Sequence, residues 1–219
     1  MRRYFQGCAV SKYISITSLF TIFEEIFDRN YYFEGESHDF WEFVCVLDGT
    51  LGVTAGEDIL ILEKGQSVLH RPMEFHRLWS EGRTEPHIFV ISFAADAMPQ
   101  VKDKQFQLTE ENHKTISILR DTAAMVFDRE EDTLVKSVRT GREAEAQIFI
   151  NTAENLLLSV LNGKKQKMDY YESISADNYR RIVRTLEEHI QERLTQADIA
   201  GLCSMSEASL KKTFSKYTG

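Results

Sequence analysis

The sequence predicts an α+β protein in which an antiparallel β domain precedes a series of helices. Residues 14–94 contain short runs of aromatic and β-branched residues, whereas after Pro99 the apolar residues recur at three- and four-residue intervals. Many short strands separated by turn signals such as Asp48-Gly49 favour a sandwich or a barrel. The runs are 14–22, 31–33, 40–47, 51–54, 59–62, 67–70, 77–80 and 87–93.

The composition is that of a globular protein without membrane-spanning segments or a disulfide framework. The chain of 219 residues is 42% hydrophobic and 27% charged, which is ordinary for a globular protein, and its apolar runs are too short to cross a membrane. Cys8, Cys45 and Cys203 form no Cys-x-x-Cys pair, so we expect no disulfide framework and a reducing, cytoplasmic location. The net charge is −8, but the acidic excess lies before residue 177, and the C-terminal part can therefore approach nucleic acid.

A helix capped by Thr109 is expected to open the helical part of the chain. Glu110 and Glu111 suit its first turn, where the helix dipole favours acidic side chains. The charged run 128–132 is expected to end this helix as a solvated turn. The apolar stripe of the helix contains Ile116, Leu119, Ala123 and Val126.

A second helix is expected from about Glu143 to Asn162, with Gly163 as its stop signal. Its apolar residues alternate four- and three-residue steps, which is typical of a coiled-coil seam and predicts a homodimer. The same pattern fits equally well a helix that packs on its own domain. The seam residues are Ile150, Ala153, Leu157 and Val160.

Residues 164–176 have the composition of a linker, and a third helix should follow them. Asp177 is the expected N-cap, and the helix should run to about Arg193. Its buried stripe is assigned to Ile182, Leu186 and Ile190.

The last segment, LTQADIAGLCSMSEASLKKTFSKYTG, has the pattern of two short helices joined by a tight turn. Thr195 and Asp198 form a capping-box-like pair before the first helix, and Ser206 is expected to cap the second. Two helices that cross steeply need a small residue at the crossing and large apolar residues beyond it. The residues assigned to this core are Ile199, Ala200, Leu202, Leu210 and Phe214.

The second of these helices is predicted to enter the major groove of double-stranded DNA. Lysines near the groove edge give affinity through phosphate contacts, whereas side chains near the helix start reach base edges. Two ordinary surface helices with solvated lysines are the alternative. The residues assigned to DNA contact are Ser206, Glu207, Ser209, Lys211, Lys212 and Lys216, with Tyr217 further along the same face.

This segment resembles the start of the DNA-binding domain of AraC/XylS-family transcription regulators. Ser204 departs from the family, which usually has glycine there, and Gly201 is rare inside the first helix. The family's domain contains two helix-turn-helix units, so the resemblance implies that this chain is a fragment with only the first. The matching residues are Leu194-Thr195, Ile199-Ala200, Ser206, Leu210, Phe214 and Tyr217-Thr218-Gly219.

The β domain resembles the cupin superfamily, which implies a jelly-roll barrel. The stretch Glu36-x-His38-x-x-x-Glu42-x6-Gly49 is similar to the first cupin motif, and Gly65, Pro72 and His76 to the second. In metal-binding cupins these motifs supply three histidines and a glutamate. The resemblance therefore implies either a pocket for a small effector or, less favoured, a metal site at His38, Glu42 and His76, where Glu36 replaces a histidine. A purely structural role is the third possibility, and Trp41 and Trp79 are further candidates for the pocket.

These observations predict four parts and one function. An effector-binding domain is expected at 1–100, with 1–13 as a mobile arm, then a helical dimerisation segment at 101–163, a linker at 164–176 and a partial helix-turn-helix domain at 177–219. The expected function is ligand-responsive, sequence-specific regulation of transcription, without enzymatic activity or cofactor. The effector is a small molecule, with sugars among the candidates. The alternative is a metal-dependent cupin enzyme, a dioxygenase or an isomerase.

Overall fold

The computed structural model describes residues 7–163 and 174–218. The predicted linker and the first residues of the predicted arm therefore lie largely outside the described residues. The strands are β1 (Ser15–Ile26), β2 (Trp41–Asp48), β3 (Thr50–Ala55), β4 (Asp58–Glu63), β5 (Gln66–His70), β6 (His76–Ser80), β7 (His87–Ala97), β8 (Gln105–Gln107), β9 (Phe127–Glu130) and β10 (Leu134–Val138). The helices are α1 (Glu110–Val126), α2 (Glu143–Leu161), α3 (Ile174–Glu188), α4 (Gln196–Leu202) and α5 (Glu207–Thr218).

The strands form two antiparallel sheets, which confirms the predicted cupin-type α+β fold. The large sheet has the order β8-β5-β2-β7-β1-β10-β9, and the small sheet has the order β4-β3-β6. The chain passes from the large to the small sheet at Gly49, whose φ is 76°. A Cβ atom there would lie 2.9 Å from Cα of Pro86, so both the conformation and the close approach require glycine.

Successive side chains of β2 point to opposite faces of the large sheet, and the apolar core therefore has two layers. Val44 and Val46 point between the sheets, where they join a cluster from both, whereas Phe43 and Cys45 point to the opposite face of the large sheet. That opposite face is covered by α1 and α2. The helical residues that pack against it include Ile116, Leu119, Ala123, Val126, Phe149, Ala153, Leu157 and Val160.

Both predicted helices of the middle segment are confirmed. Thr109 caps α1 in a capping box with Asn112, and the four residues of the predicted stripe are buried. In α2 the seam residues Ala153, Leu157 and Val160 are buried in the chain's own core, and Ile150 is partly buried against it. The structure therefore places the seam against its own domain.

The expected solvated turn at 128–132 is wrong. Phe127–Glu130 forms β9, which pairs with β10 and extends the large sheet, and β10 in turn pairs with β1 at Thr21. The turn itself is Glu131 to Thr133, in which Glu131 and Asp132 have φ values of 51° and 55°. The charged residues of this run lie on an edge strand, where they face solvent. Their pattern in the sequence is therefore the same as that of a solvated turn.

The bounds of α3 also differ from the prediction. The helix begins at Ile174, so Asp177 lies in its first turn and accepts a hydrogen bond from Arg180 Nη1 at 2.7 Å instead of capping it. Ile182 is buried, but Ile190 lies beyond the end of the helix and is 75% exposed. The four-residue spacing of apolar residues thus extends to Ile190, although the helix ends at Glu188.

Two helices joined by a tight turn follow. Thr195 caps α4 in the predicted capping box with Asp198, and Ser206 Oγ accepts a hydrogen bond from the N–H of Ser209 at the start of α5. Ser204 adopts a φ of 52° in the turn, where the resembled family usually has glycine. The core formed with Ile182 contains Ala200, Cys203 and Leu210.

Three side chains of this segment lie differently from the prediction. Leu202 and Phe214 are 50% and 37% exposed, whereas Tyr217, expected on the outer face, is 3% exposed. The helical period places Tyr217 on the same side as Leu210 and Thr213, where it packs near Tyr179 of α3. Within the described residues, no helix has the length and apolar character needed to cross a membrane.

Candidate functional site

Four residues from three parts of the β domain meet at one point, and we call them the tetrad: Glu36, His38, Glu42 and His76. One ligand atom from each lies within 4.8 Å of the others. Glu42 belongs to β2 and His76 begins β6. Glu36 is held beside β6 because its backbone N–H and carbonyl pair with those of His76 at 2.9 and 3.0 Å.

The tetrad is sheltered at one end of the space between the sheets. Glu42 alternates along β2 with Val44, which packs in the inter-sheet core. The side chain of His76 is 1% exposed and those of Glu42 and His38 are 10% and 12% exposed, whereas that of Glu36 is half exposed. Glu36 therefore marks the side on which the site opens to solvent.

The distances within the tetrad suit a small bound group. His76 Nε2 lies 3.5 Å from Glu42 Oε1 and 3.7 Å from Glu36 Oε1, and His38 Nε2 lies 3.9 Å from Glu42 Oε2. The ring of His70 stacks on that of His76 with centroids 4.3 Å apart.

Backbone carbonyls fix the orientation of both histidine rings in the tetrad. Nδ1 of His38 donates to the carbonyl of Phe40 at 3.0 Å, and Nδ1 of His76 donates to the carbonyl of Glu74 at 3.0 Å. A carbonyl can only accept, so each Nδ1 carries a proton and each Nε2 is turned toward the carboxylates. Both Nε2 atoms are buried and make no hydrogen bond within the part of the chain that the structure describes.

The charges of the tetrad are strongly coupled. Burial alone would lower the pKa of His76, but the facing carboxylates of Glu36 and Glu42 outweigh it and raise this pKa to about 10. The close approach of His76 and its positive charge in turn lower the pKa of Glu36. At neutral pH a protonated His76 thus balances the carboxylates, and a bound cation would displace this proton.

A second charged group lies directly beside the tetrad. His70 is fully buried, and burial lowers its pKa. Burial alone would raise the pKa of Glu74, but His70 and Lys104 outweigh it and lower this pKa to about 2. Lys104 Nζ lies 2.8 Å from Glu74 Oε1 and 3.3 Å from Asp58 Oδ2. Sequence reasoning missed Lys104, because nothing in its neighbourhood resembles a motif.

The donor set of the tetrad fits a divalent transition metal. Two imidazoles whose Nε2 atoms face the carboxylates, together with those two carboxylates, are the ligands that zinc, iron and nickel accept, and backbone carbonyls on the opposite nitrogens are their usual support. The same groups also fit a polyhydroxylated molecule, since carboxylates accept hydrogen bonds from hydroxyl groups and histidines can donate or accept them.

The two tryptophans predicted for the pocket lie outside the tetrad. Trp41 packs on the helix-covered face of the large sheet, and Trp79 packs on the outer face of the small sheet, where it donates to Glu81 Oε2 at 2.8 Å. Strand alternation explains both positions, because Trp41 is adjacent to Glu42 and Trp79 stands an odd number of residues after His76.

The predicted DNA-contacting residues fall into two groups. Ser206, Glu207, Lys211 and Lys212 are exposed, and Ser209 is half-buried. The side chain of Lys216 is exposed too, but its carbonyl accepts a hydrogen bond from Arg77 of β6 at 2.7 Å. The start of α5 is therefore open, whereas its end lies against the small sheet.

A cleft of about 1790 Å³ lies between the β5–β6 loop and the C-terminal helices. Glu74 and Lys104 line its β side, and Tyr179, Arg180 and Phe214 line its helical side. Asp58 connects the two sides, because it lies 3.3 Å from Lys104 Nζ and 3.7 Å from Arg180 Nε.

Comparisons with known proteins agree with this architecture. Residues 21–126 match the family described as AraC-like ligand binding domain. No curated protein matches the chain.

Matches among solved structures include two transcription regulators and a cupin, each with a TM-score below 0.5. Apo ToxT from Vibrio cholerae gives a TM-score of 0.41 at 13% identity and covers 93% of this chain and 77% of its own. The AraC-like transcriptional activator CuxR gives 0.40 at 12% identity, with 81% and 61% covered. An RmlC-like cupin from Shewanella frigidimarina gives 0.28 at 20% identity, with 32% and 60% covered.

Proposed function

We propose, from the match of residues 21–126 to the AraC-like ligand binding domain, that the chain is a ligand-responsive regulator of transcription whose effector binds at the tetrad. The observation that carries the proposal is the convergence of two buried Nε2 atoms, on His38 and His76, with two carboxylates at 3.5 to 3.9 Å, which is too long for a good hydrogen bond. Buried polar atoms are costly unless they have a partner, and a bound effector would supply it.

The chemistry of the tetrad narrows the class of effector. The carboxylates of Glu36 and Glu42 would repel an anion but accept hydrogen bonds from hydroxyl groups or bind a cation. A polyhydroxylated molecule such as a sugar, or a divalent metal ion, fits this site better than a small acid does. The half-exposed Glu36 is where such a molecule would enter.

The proposed target is double-stranded DNA, read by α5 in a helix-turn-helix. The open start of this helix carries the exposed Lys211 and Lys212, which would contact phosphates, and Glu207 and Ser209, which would reach base edges. The capped helices α4 and α5 and the tight turn at Ser204 support this proposal.

Fluorescence anisotropy with labelled duplex DNA tests the proposed target. Duplexes selected from a random library should bind the chain more tightly than a mixed-sequence duplex of equal length. The double variant K211A/K212A should bind more weakly and lower the slope of log affinity against log salt by about two, since each phosphate contact contributes about one. Lys114→Ala, an exposed lysine of α1, is the matched control. Equal affinity and slope for K211A/K212A and the wild type would reject the proposal.

The proposed assembly is a homodimer, although the predicted seam residues of α2 are buried or partly buried in the chain's own core. Exposed apolar side chains lie instead on α1, at Ile118 and Met125, and on α2, at Ile148, with exposures of 55%, 57% and 63%. These three side chains border one apolar groove between the helices. They form a more suitable contact surface than the predicted seam residues.

A metal-dependent cupin enzyme is the second candidate, favoured by the compact donor set of the tetrad. Metal analysis of the purified chain separates the two candidates. Stoichiometric metal with turnover of a substrate would support the enzyme, whereas metal without turnover would make the ion an effector.

A further inference from the structure

Strand β6 carries the tetrad on one face and a contact to α5 on the other. His76 points between the sheets, and its neighbour Arg77 points outward, because successive side chains of a strand alternate. Arg77 is fully buried. Its Nη1 donates to the carbonyl of Lys216 at 2.7 Å, its Nη2 donates to the carbonyl of Glu34 at 3.4 Å, and the guanidinium lies 4.4 Å from the ring centre of Tyr32.

This contact suits the end of a helix. The last carbonyls of a helix lack partners within it and carry the negative end of the helix dipole. A guanidinium that donates to Lys216 satisfies one of these carbonyls and is attracted by the dipole. Beside it, Tyr217 and Tyr179 pack with Ile59 on the outer face of the small sheet. Arg77 is therefore the polar centre of an apolar contact between the β domain and the C-terminal helices.

We propose that Arg77 is a latch that holds α5 against the small sheet, and that occupation of the tetrad weakens this latch through β6. The inference rests on the proposed function, since it assumes that the tetrad binds an effector and that α5 contacts DNA. In the latched arrangement the end of α5 faces the β domain, so the latch opposes engagement of DNA by the whole helix.

The direction of the effect follows from the geometry. The Arg77–Lys216 hydrogen bond already has a favourable length of 2.7 Å, so an effector that shifts β6 would lengthen and weaken it. An effector that binds Nε2 of His76 acts on the first residue of β6, one residue before Arg77. By linkage, a chain with the latch intact should bind that effector less tightly than a chain without it.

Hydrogen exchange of the backbone amides in α5 tests the latch without ligand or DNA. Arg77→Met keeps the volume and removes the donors, and Arg77→Lys keeps the charge but not the planar fork. We expect amides near the end of α5 to exchange about tenfold faster in R77M than in the wild type, with R77K between them. Arg184→Met is the matched control, because Arg184 joins α3, which packs against α5, to Glu57 through an ion pair on the surface. R184M should exchange at nearly the wild-type rate. Wild-type exchange in both R77M and R77K would overturn the latch.

The link between the tetrad and the latch is tested by a double-mutant cycle. Glu42→Gln removes one of the carboxylates that face His76, and it lies on β2 of the large sheet, whereas α5 packs on the outer face of the small sheet. We expect E42Q to change exchange in α5 of the otherwise wild-type chain and to have no effect in the R77M background. Equal effects of E42Q in both backgrounds, or no effect in either, would overturn the coupling. Failure of the proposed function would show instead as absent effector or DNA binding, which this experiment does not use.

Discussion

The carboxylate of Glu154, in the middle of α2, accepts a hydrogen bond from the backbone N–H of Ile16 at 3.0 Å. It also accepts hydrogen bonds from Lys12 Nζ at 2.9 and 3.1 Å. Glu154 is 6% exposed. A single buried carboxylate therefore ties the start of β1, and the segment before it, to the helix α2, which packs on the same sheet.

Glu154→Ala should destabilise the chain by about 2–3 kcal/mol, because it leaves the Ile16 N–H without its charged acceptor. Glu154→Gln keeps a hydrogen-bond acceptor and should lower the free energy of unfolding by less than Glu154→Ala does. Lys12→Ala removes only the half-exposed partner and should cost less than about 1 kcal/mol. Urea unfolding measures all three. If K12A lost as much free energy of unfolding as E154A does, the surface ion pair, and not the buried hydrogen bond, would be what attaches β1 to α2.

Acid should destabilise the wild-type chain through Glu74. Its pKa in the folded chain is about 2, below the ordinary value of 4.5, so its contribution is present above pH 4.5 and is lost as the pH falls toward 2. Glu74→Gln should therefore show a shallower fall in the free energy of unfolding between these pH values. Glu85→Gln removes a carboxylate from an exposed ion pair with Arg29 and should keep the wild-type slope. Identical slopes for E74Q and the wild type would contradict the assignment.

Leu157→Ala should destabilise the fold itself by about 2–5 kcal/mol, because Leu157 is 1% exposed in the core under the large sheet. Ile148→Asp should leave the free energy of unfolding of the monomer nearly unchanged and reduce association. Sedimentation equilibrium and urea unfolding measure the two effects. If L157A were fully stable but monomeric, the seam would have to lie between subunits after all.

Gly201→Ala should stabilise the chain by about 1 kcal/mol, since alanine is the better helix former and nothing described lies within 4 Å of the added Cβ. Gly52→Ala should destabilise it, because the same atom on β3 would overlap the indole ring of Trp79. Thermal unfolding compares the two. A destabilising G201A would mean that α4 needs the flexibility of glycine in its turn.

Strands and caps could be predicted because their signals are local. The apolar runs around Phe43 and Val90 became β2 and β7, and Thr109 and Thr195 cap the helices that were assigned to them. The grouping of His38, Glu42 and His76 came from a motif resemblance, which preserves spacing, and the structure brings these residues together with Glu36.

The rest of the site depends on contacts between distant parts of the chain. The sequence does not tell which face of β2 is inward, so Trp41 was placed beside Glu42 in the pocket although it lies on the opposite face. Lys104 reaches Glu74 only because β8 lies beside β5 in the large sheet. The burial of Tyr217 likewise depends on the packing of α5 near Trp79 and Ile59. The residue pattern within α5 cannot predict this contact between distant parts of the chain.

A thermal-shift comparison of the wild type with His38→Gln tests most directly the claim that the tetrad is the effector site. Both chains are screened against sugars, small acids and divalent metals, with and without chelator. A ligand at a hundred times its dissociation constant should add about 2.7 kcal/mol to the stability of the wild type. We expect a sugar or a metal to stabilise the wild type and to fail to stabilise H38Q. A compound that stabilises both chains equally would contradict it, because the ligand would then bind away from the tetrad.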